Sequence, residues 1–98
     1  MILHKYLSVL LLVIVFTNAN SQTKTLDSLQ KLVDDAQTDS AKIYQTVVYA
    51  GELTYTDPAK AKVILDKAIT DTRTIKYKKG EAAALYAKAI AEAFEGKY

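Results

Sequence analysis

Hydrophobic residues recur every three or four positions through most of the chain after residue 25. This spacing places them on one side of an α-helix, whereas a half-buried strand would alternate apolar and polar residues. The pattern predicts four helices, over about residues 25–36, 40–55, 58–75 and 79–94. Because short polar turns separate these segments, consecutive helices are expected to pair as antiparallel αα-hairpins in an all-α fold.

Residues that cap helices mark the predicted starts. The segment from Gln37 to Ser40 supplies short polar side chains, which accept hydrogen bonds from the free amides of a new helix. Asp57 is placed to cap the third helix, and Pro58 suits its first position because that position needs no backbone N–H. Gly51 weakens the second helix by about 1 kcal/mol relative to alanine, so we expect a close packing contact there.

The N-terminal segment has a different pattern. Lys5 provides a positive start, an apolar run extends from Tyr6 to Phe16, and small residues stand at Ala19 and Ser21. These features predict a signal peptide over residues 1–21 and a helical region over residues 22–98. A membrane anchor is the other interpretation, but the run has eleven residues and a transmembrane helix needs about 20. We therefore expect an exported chain, on the periplasmic or extracellular face of the membrane.

Composition narrows the chemistry further. Half of the 98 residues are apolar, 24% are charged and the net charge is +2. These values fit one small domain and provide no broad basic surface for nucleic acid. Cysteine is absent, and the one histidine, His4, lies in the predicted signal peptide. The sequence therefore favours a non-enzymatic chain that binds no metal or other cofactor.

Two charged clusters have both a functional and a structural interpretation. A basic cluster around the third turn comprises Arg73, Lys76, Lys78 and Lys79. It could bind an anion, but positive side chains at a helix C-terminus also complement the helix dipole, and we favour that interpretation. Asp34 and Asp35 could bind a metal ion. Adjacent helical residues point in different directions, however, which favours a solvated face.

Aromatic residues suggest a binding surface. Four tyrosines are candidate lining residues of a peptide groove: Tyr44, Tyr49, Tyr55 and Tyr86. Tyrosine at helical spacing also packs in protein cores with its hydroxyl group at the edge, and we favour that interpretation over groove binding.

Small residues in the third helix resemble the second helix of a tetratricopeptide repeat (TPR). Seven residues carry the resemblance: Ala61, Leu65 and Ala68 in the third helix, Ala50 and Leu53 in the second, and Leu85 and Ala89 in the fourth. It implies a TPR-like α-solenoid in which these residues pack where helices cross closely. Ala50 and Ala89 are 39 residues apart, against about 34 in the standard repeat, so the resemblance is to a variant.

Longer runs are similar to one group of repeat proteins. The runs LDSLQKLVDDAQTDSAKI, TDPAKA and IKYKKGEAAAL resemble the N-terminal TPR region of bacterial membrane sensor proteins. This resemblance implies an extracytoplasmic module followed by a transmembrane helix and a sensor histidine kinase or related regulator, whose catalytic residues would lie downstream. The segment Gly96 to Tyr98 resembles the turn before another second helix. The solenoid is therefore expected to be incomplete at its C-terminus, as in a fragment.

The expected function is a non-catalytic protein–protein interaction or sensor module of TPR type. Its expected partners are a protein, a peptide or a second copy of the chain, and not nucleic acid. Contact with a membrane is expected only through the signal peptide or a downstream segment. A second function stays open, namely a free-standing small exported helical protein that acts as a homo-oligomeric binding module.

Overall fold

The computed structural model describes residues 24–96, all of which lie in helices or in the turns between them. Helix α1 covers residues 24–35, α2 covers Asp39–Leu53, α3 covers Pro58–Thr74 and α4 covers Lys78–Phe94. The described residues contain no strand, so the predicted all-α class is confirmed. The predicted signal peptide lies outside the described residues.

Helices α2 and α3 begin at the residues whose side chains can cap them. The Thr38 hydroxyl oxygen accepts a hydrogen bond from the Ala41 N–H at 3.2 Å. The Asp57 carboxylate accepts one from the Lys60 N–H at 3.1 Å, with Pro58 in the first turn. Each cap satisfies an amide that has no partner within its own helix.

The turn from α3 to α4 has the hydrogen bonds of a Schellman motif. The Tyr77 N–H donates to the Thr72 carbonyl at 2.8 Å, and the Lys76 N–H donates to the Arg73 carbonyl at 3.2 Å. Lys76 has a φ of 59°, in the left-handed region that usually favours glycine. This non-glycine residue therefore adopts an unfavourable backbone conformation in order to reverse the chain.

Alanine dominates the core that α2, α3 and α4 share. The buried apolar residues are Val47, Ala50, Leu53, Ala61, Leu65, Ala68, Ile69, Ala84 and Ala91. Five of these nine are alanine, and small side chains let helix axes approach closely. Helix α3 contacts both α2 and α4, and α4 also contacts α2. Leu26 of α1 packs against the edge of this core.

The seven TPR-type packing positions divide into two groups. Five of them are buried in α2 and α3: Ala50, Leu53, Ala61, Leu65 and Ala68. Leu85 and Ala89 are exposed instead, as is Ala82 on the same side of α4. The residues of α4 that are buried are Gly80, Ala84 and Ala91, so the predicted buried face of α4 is wrong.

Ion pairs between α3 and α4 accompany the face that α4 presents to the core. Glu81 pairs with Arg73 at 2.5 Å, and Lys88 pairs with Asp66 at 2.7 Å. Glu81 and Lys88 are two turns apart and therefore share one side of α4. That side is directed towards α3, and the predicted packing positions Leu85 and Ala89 face away from the core.

The expected close contact at Gly51 is also absent. A Cβ atom built on this glycine would have no neighbouring atom within 4 Å. A Cβ on Gly80 would instead lie 2.5 Å from Cε2 of the Tyr77 ring and 3.1 Å from Cγ2 of Thr72. The glycine that makes room for a neighbouring side chain is therefore at the start of α4, not in α2.

Candidate protein-binding groove

A groove of about 530 Å³ lies between the N-terminal half of α2 and the length of α3. Ile43 from α2 and Ile64 and Ala68 from α3 are among its apolar lining residues. Val63 and Ile75 extend the apolar surface, and the Val63 side chain is 70% exposed. The groove therefore offers apolar surface from two adjacent helices to solvent.

Charged residues of both signs also line the groove. Helix α2 contributes Asp39 and Lys42, while α3 contributes Lys67 and Asp71. Lys67 and Asp71 form an ion pair at 2.7 Å across one helical turn. Such an exposed pair adds little to stability. Its charged groups can therefore be redirected to a bound partner at small cost.

The groove and α4 lie on different sides of α3. The α3 residues that pair with α4 are Asp66 and Arg73, whereas Ile64, Lys67 and Asp71 line the groove. The sequence patterns described above did not predict this surface. The signal for it is a second row at steps of three or four residues, Ile64, Ala68, Asp71 and Ile75, beside the buried row that includes Ala61 and Leu65.

The four candidate tyrosines do not form one groove. Tyr44 is exposed on α2, whereas Tyr55 is exposed in the turn that follows α2. Tyr49 is partly buried and packs against the core, and Tyr86 is exposed on α4. None of these tyrosines lines the groove between α2 and α3.

Tyr55 has an aromatic neighbour that the sequence analysis did not identify. Its ring lies 5.3 Å from that of Phe94, with an interplanar angle of 89°. This edge-to-face geometry is a favourable arrangement for aromatic rings. The pair joins the C-terminal ends of α2 and α4 while both side chains remain exposed.

Two members of the predicted basic cluster have structural partners. Arg73 and Lys78 both pair with Glu81, at 2.5 Å and 3.9 Å. Lys76 occupies the left-handed turn position, and Lys79 lies in the first turn of α4. The cluster therefore surrounds the junction of α3 and α4, where a carboxylate neutralises part of its charge.

Two further groups of charged side chains, around Asp34 and around Lys88, interact with neighbours within the fold. Asp34 accepts a hydrogen bond from the Gln30 side chain at 3.1 Å. Within residues 24–96, no three carboxylate or histidine side chains are grouped so that they could hold a metal ion. The hydrogen bond and the charge of Asp66 raise the pKa of Lys88 above its ordinary value of 10.5.

The described part of the chain includes no helix with the length and hydrophobicity that a membrane-spanning helix requires. Comparisons of the chain with protein-family models, with curated proteins and with solved structures found no match.

Proposed function

We propose that this chain is a non-catalytic protein-interaction module of TPR type, which holds a segment of a partner protein in the groove between α2 and α3. The observation that carries the proposal is the open apolar surface of that groove with charges of both signs around it. Paired helices present such grooves to amphipathic helices. The close packing at Ala50, Ala61 and Ala68 supports a repeat-type hairpin as the scaffold.

The dimensions of the groove favour a helical segment as its occupant. Along α3 the lining residues extend from Val63 to Ile75, a distance of about 18 Å at 1.5 Å per residue. A bound helix of about three turns matches this length. Its apolar side chains would contact Ile43 and Ile64, while its charged side chains would meet Lys42 and Asp71.

The cellular setting is part of the same proposal. The apolar N-terminal run and the small residues that follow it support export. The runs LDSLQKLVDDAQTDSAKI and TDPAKA, which resemble TPR regions of bacterial sensor proteins, motivate a role as the extracytoplasmic part of a signal-transduction protein. In that role, partner binding in the groove is the sensed event.

A matched pair of valine substitutions tests the groove. Helical peptides would first be selected from a displayed library against the chain, which is expressed with its complete N-terminal segment. Their dissociation constants would then be measured for the unmodified chain, for Val63→Lys and for Val48→Lys. Val63 lines the groove, whereas Val48 does not, and both side chains are exposed enough to accept lysine without entering the core.

We expect Val63→Lys to weaken peptide binding at least tenfold, which corresponds to about 1.4 kcal/mol. Val48→Lys should leave the dissociation constant within about twofold of the original. Peptides that bind the Val63→Lys chain as tightly as the unmodified chain would contradict the proposal that they bind in the groove. A loss of peptide binding in the Val48→Lys chain alone would indicate a binding site near Tyr44 or Tyr55 instead.

A second candidate function has support from a different surface. The chain could act as a free-standing exported homo-oligomer, because Leu85 and Tyr86 on α4 are exposed apolar residues outside the groove. Measurement of the molecular mass in solution separates this function from the monomeric module.

A further inference from the structure

The outer face of α4 is apolar although the described residues leave it uncovered. Leu85 is 45% exposed and Tyr86 is 72% exposed. Ala82 and Ala89 are exposed one turn before and one turn after Leu85. These four residues, which we call the outer face, lie on the side of α4 away from the buried residues Gly80, Ala84 and Ala91.

We infer that the outer face pairs with the outer face of a second copy of the chain, with the two α4 helices antiparallel about a two-fold axis. In such an antiparallel pair, the residue numbers of any two residues that face each other add up to the same value. With the axis between Leu85 and Tyr86, Leu85 faces Tyr86 of the second copy. The same arrangement places Ala82 opposite Ala89 of the second copy and Lys79 opposite Glu92 of the second copy.

Charge complementarity is the observation that favours a second copy. Lys79 is near the N-terminus of α4 and Glu92 is near its C-terminus, the opposite of what the helix dipole favours. Within residues 24–96, Lys79 forms no ion pair, and the charge of Glu92 interacts only with Lys88, whose close ion-pair partner is Asp66. An antiparallel second helix brings a carboxylate to each lysine, whereas a parallel one would bring lysine to lysine.

The side chains on the outer face also suit this arrangement. Ala82 and Ala89 allow the two helix backbones to approach closely, and Leu85 and Tyr86 provide larger apolar side chains at the centre. Helix α4 has 17 residues and is about 25 Å long. One helix pair of this length buries a small interface, so we expect weak association.

This inference deepens the homo-oligomeric candidate function and is independent of the groove. Sedimentation equilibrium would be measured from about 10 µM to about 1 mM on the chain expressed with its complete N-terminal segment. The expected result is a monomer–dimer equilibrium. Leu85→Lys should raise the dimer dissociation constant at least tenfold, while Val63→Lys, the same kind of change at a more exposed position on α3, should leave it unchanged.

Charge exchange tests the proposed facing residues. Lys79→Glu alone and Glu92→Lys alone should each weaken the dimer, because each places like charges opposite one another. The double substitution Lys79→Glu with Glu92→Lys restores opposite charges and should restore much of the dimer affinity. An additive loss in the double variant would overturn the pairing.

Cysteine cross-linking tests the antiparallel direction, and the chain has no cysteine of its own. A mixture of an Ala82→Cys chain and an Ala89→Cys chain should form a mixed disulfide on mild oxidation. Either variant alone should cross-link much less, because the two cysteines of such a dimer, one from each copy, would be about 10 Å apart along the helices. Efficient cross-linking of Ala82→Cys with itself would indicate parallel helices and would overturn the inference.

A monomer at all concentrations would also overturn it. In that case, the rate at which a thiol reagent modifies Ala82→Cys would show whether another segment or a different partner covers the outer face. Peptide binding by the Leu85→Lys chain provides the independent comparison. The groove proposal stands if that binding is retained after the dimer is lost.

Discussion

The substitution Ala61→Leu tests the close packing of α3 most sharply. Ala61 is fully buried in the core that the helices share. Leucine adds three heavy atoms at a position from which solvent is already excluded. Ala59 is exposed two residues earlier in the same helix, so Ala59→Leu is a control with identical chemistry.

The expected cost follows from the space at each position. Overpacking a well-packed core typically costs about 1 to 3 kcal/mol, because neighbouring side chains and backbone must shift. Leucine and alanine differ only slightly in helix propensity, so Ala59→Leu should change the free energy of unfolding by less than about 0.5 kcal/mol. Lys62 is a weaker control, because its side chain is only 26% exposed and lies near Glu95.

Urea denaturation followed by far-UV circular dichroism measures the difference. With a denaturant slope of about 1 to 2 kcal/mol/M, a loss of 2 kcal/mol lowers the midpoint by about 1 to 2 M. The midpoint of Ala59→Leu should stay close to that of the unmodified chain. Equal midpoints for the two leucine variants would refute the packing that we describe for α3.

Three further tests concern the two glycines, the turn at Lys76 and the ion pair of Lys88. Gly51→Ala should raise the free energy of unfolding by up to about 1 kcal/mol, because alanine favours the helix and its Cβ meets no atom there. Gly80→Ala should lower the free energy of unfolding by about 1 kcal/mol, because the added Cβ would clash with the Tyr77 ring. Urea midpoints that shift in the same direction for both variants would contradict the open space at Gly51 and the close contact at Gly80. Lys76→Gly should stabilise the folded chain by up to about 1 kcal/mol, because glycine adopts the left-handed backbone conformation without strain, whereas Lys76→Ala should not stabilise it. Equal thermal midpoints for the two variants would contradict a left-handed conformation at residue 76. The raised pKa of Lys88 predicts a stabilisation that is present below pH 10.5 and is lost as the pH rises through the raised value, and Asp66→Asn should remove this alkaline dependence in urea titrations.

Sequence patterns identified α2 and α3 well because polar residues border their apolar faces. Thr38, Asp57 and Pro58 also carry local signals that need no tertiary information. In α4, by contrast, small apolar residues occur on nearly every side. Periodicity alone could not select its buried face, which depends on how α4 packs against α2 and α3.

The candidate site was harder to predict for a related reason. Helical geometry separates Tyr44 from Tyr49 by about 140° around α2, so shared residue type does not imply a shared surface. The groove depends on which side of α3 remains free after α3 packs against α4. The row that contains Ile64 is visible in the sequence, but only the three-dimensional packing shows that it is open to solvent and that Val63 lies beside it.

The most direct test of the proposed function is the mapping of a bound peptide by amide chemical shifts. A selected helical peptide would be titrated into the ¹⁵N-labelled chain. We predict that the largest shift changes occur at Ile43, Thr46, Ile64 and Lys67, which line the groove. Shift changes that are concentrated instead around Tyr55 and Phe94, with the groove amides unaffected, would contradict the central claim.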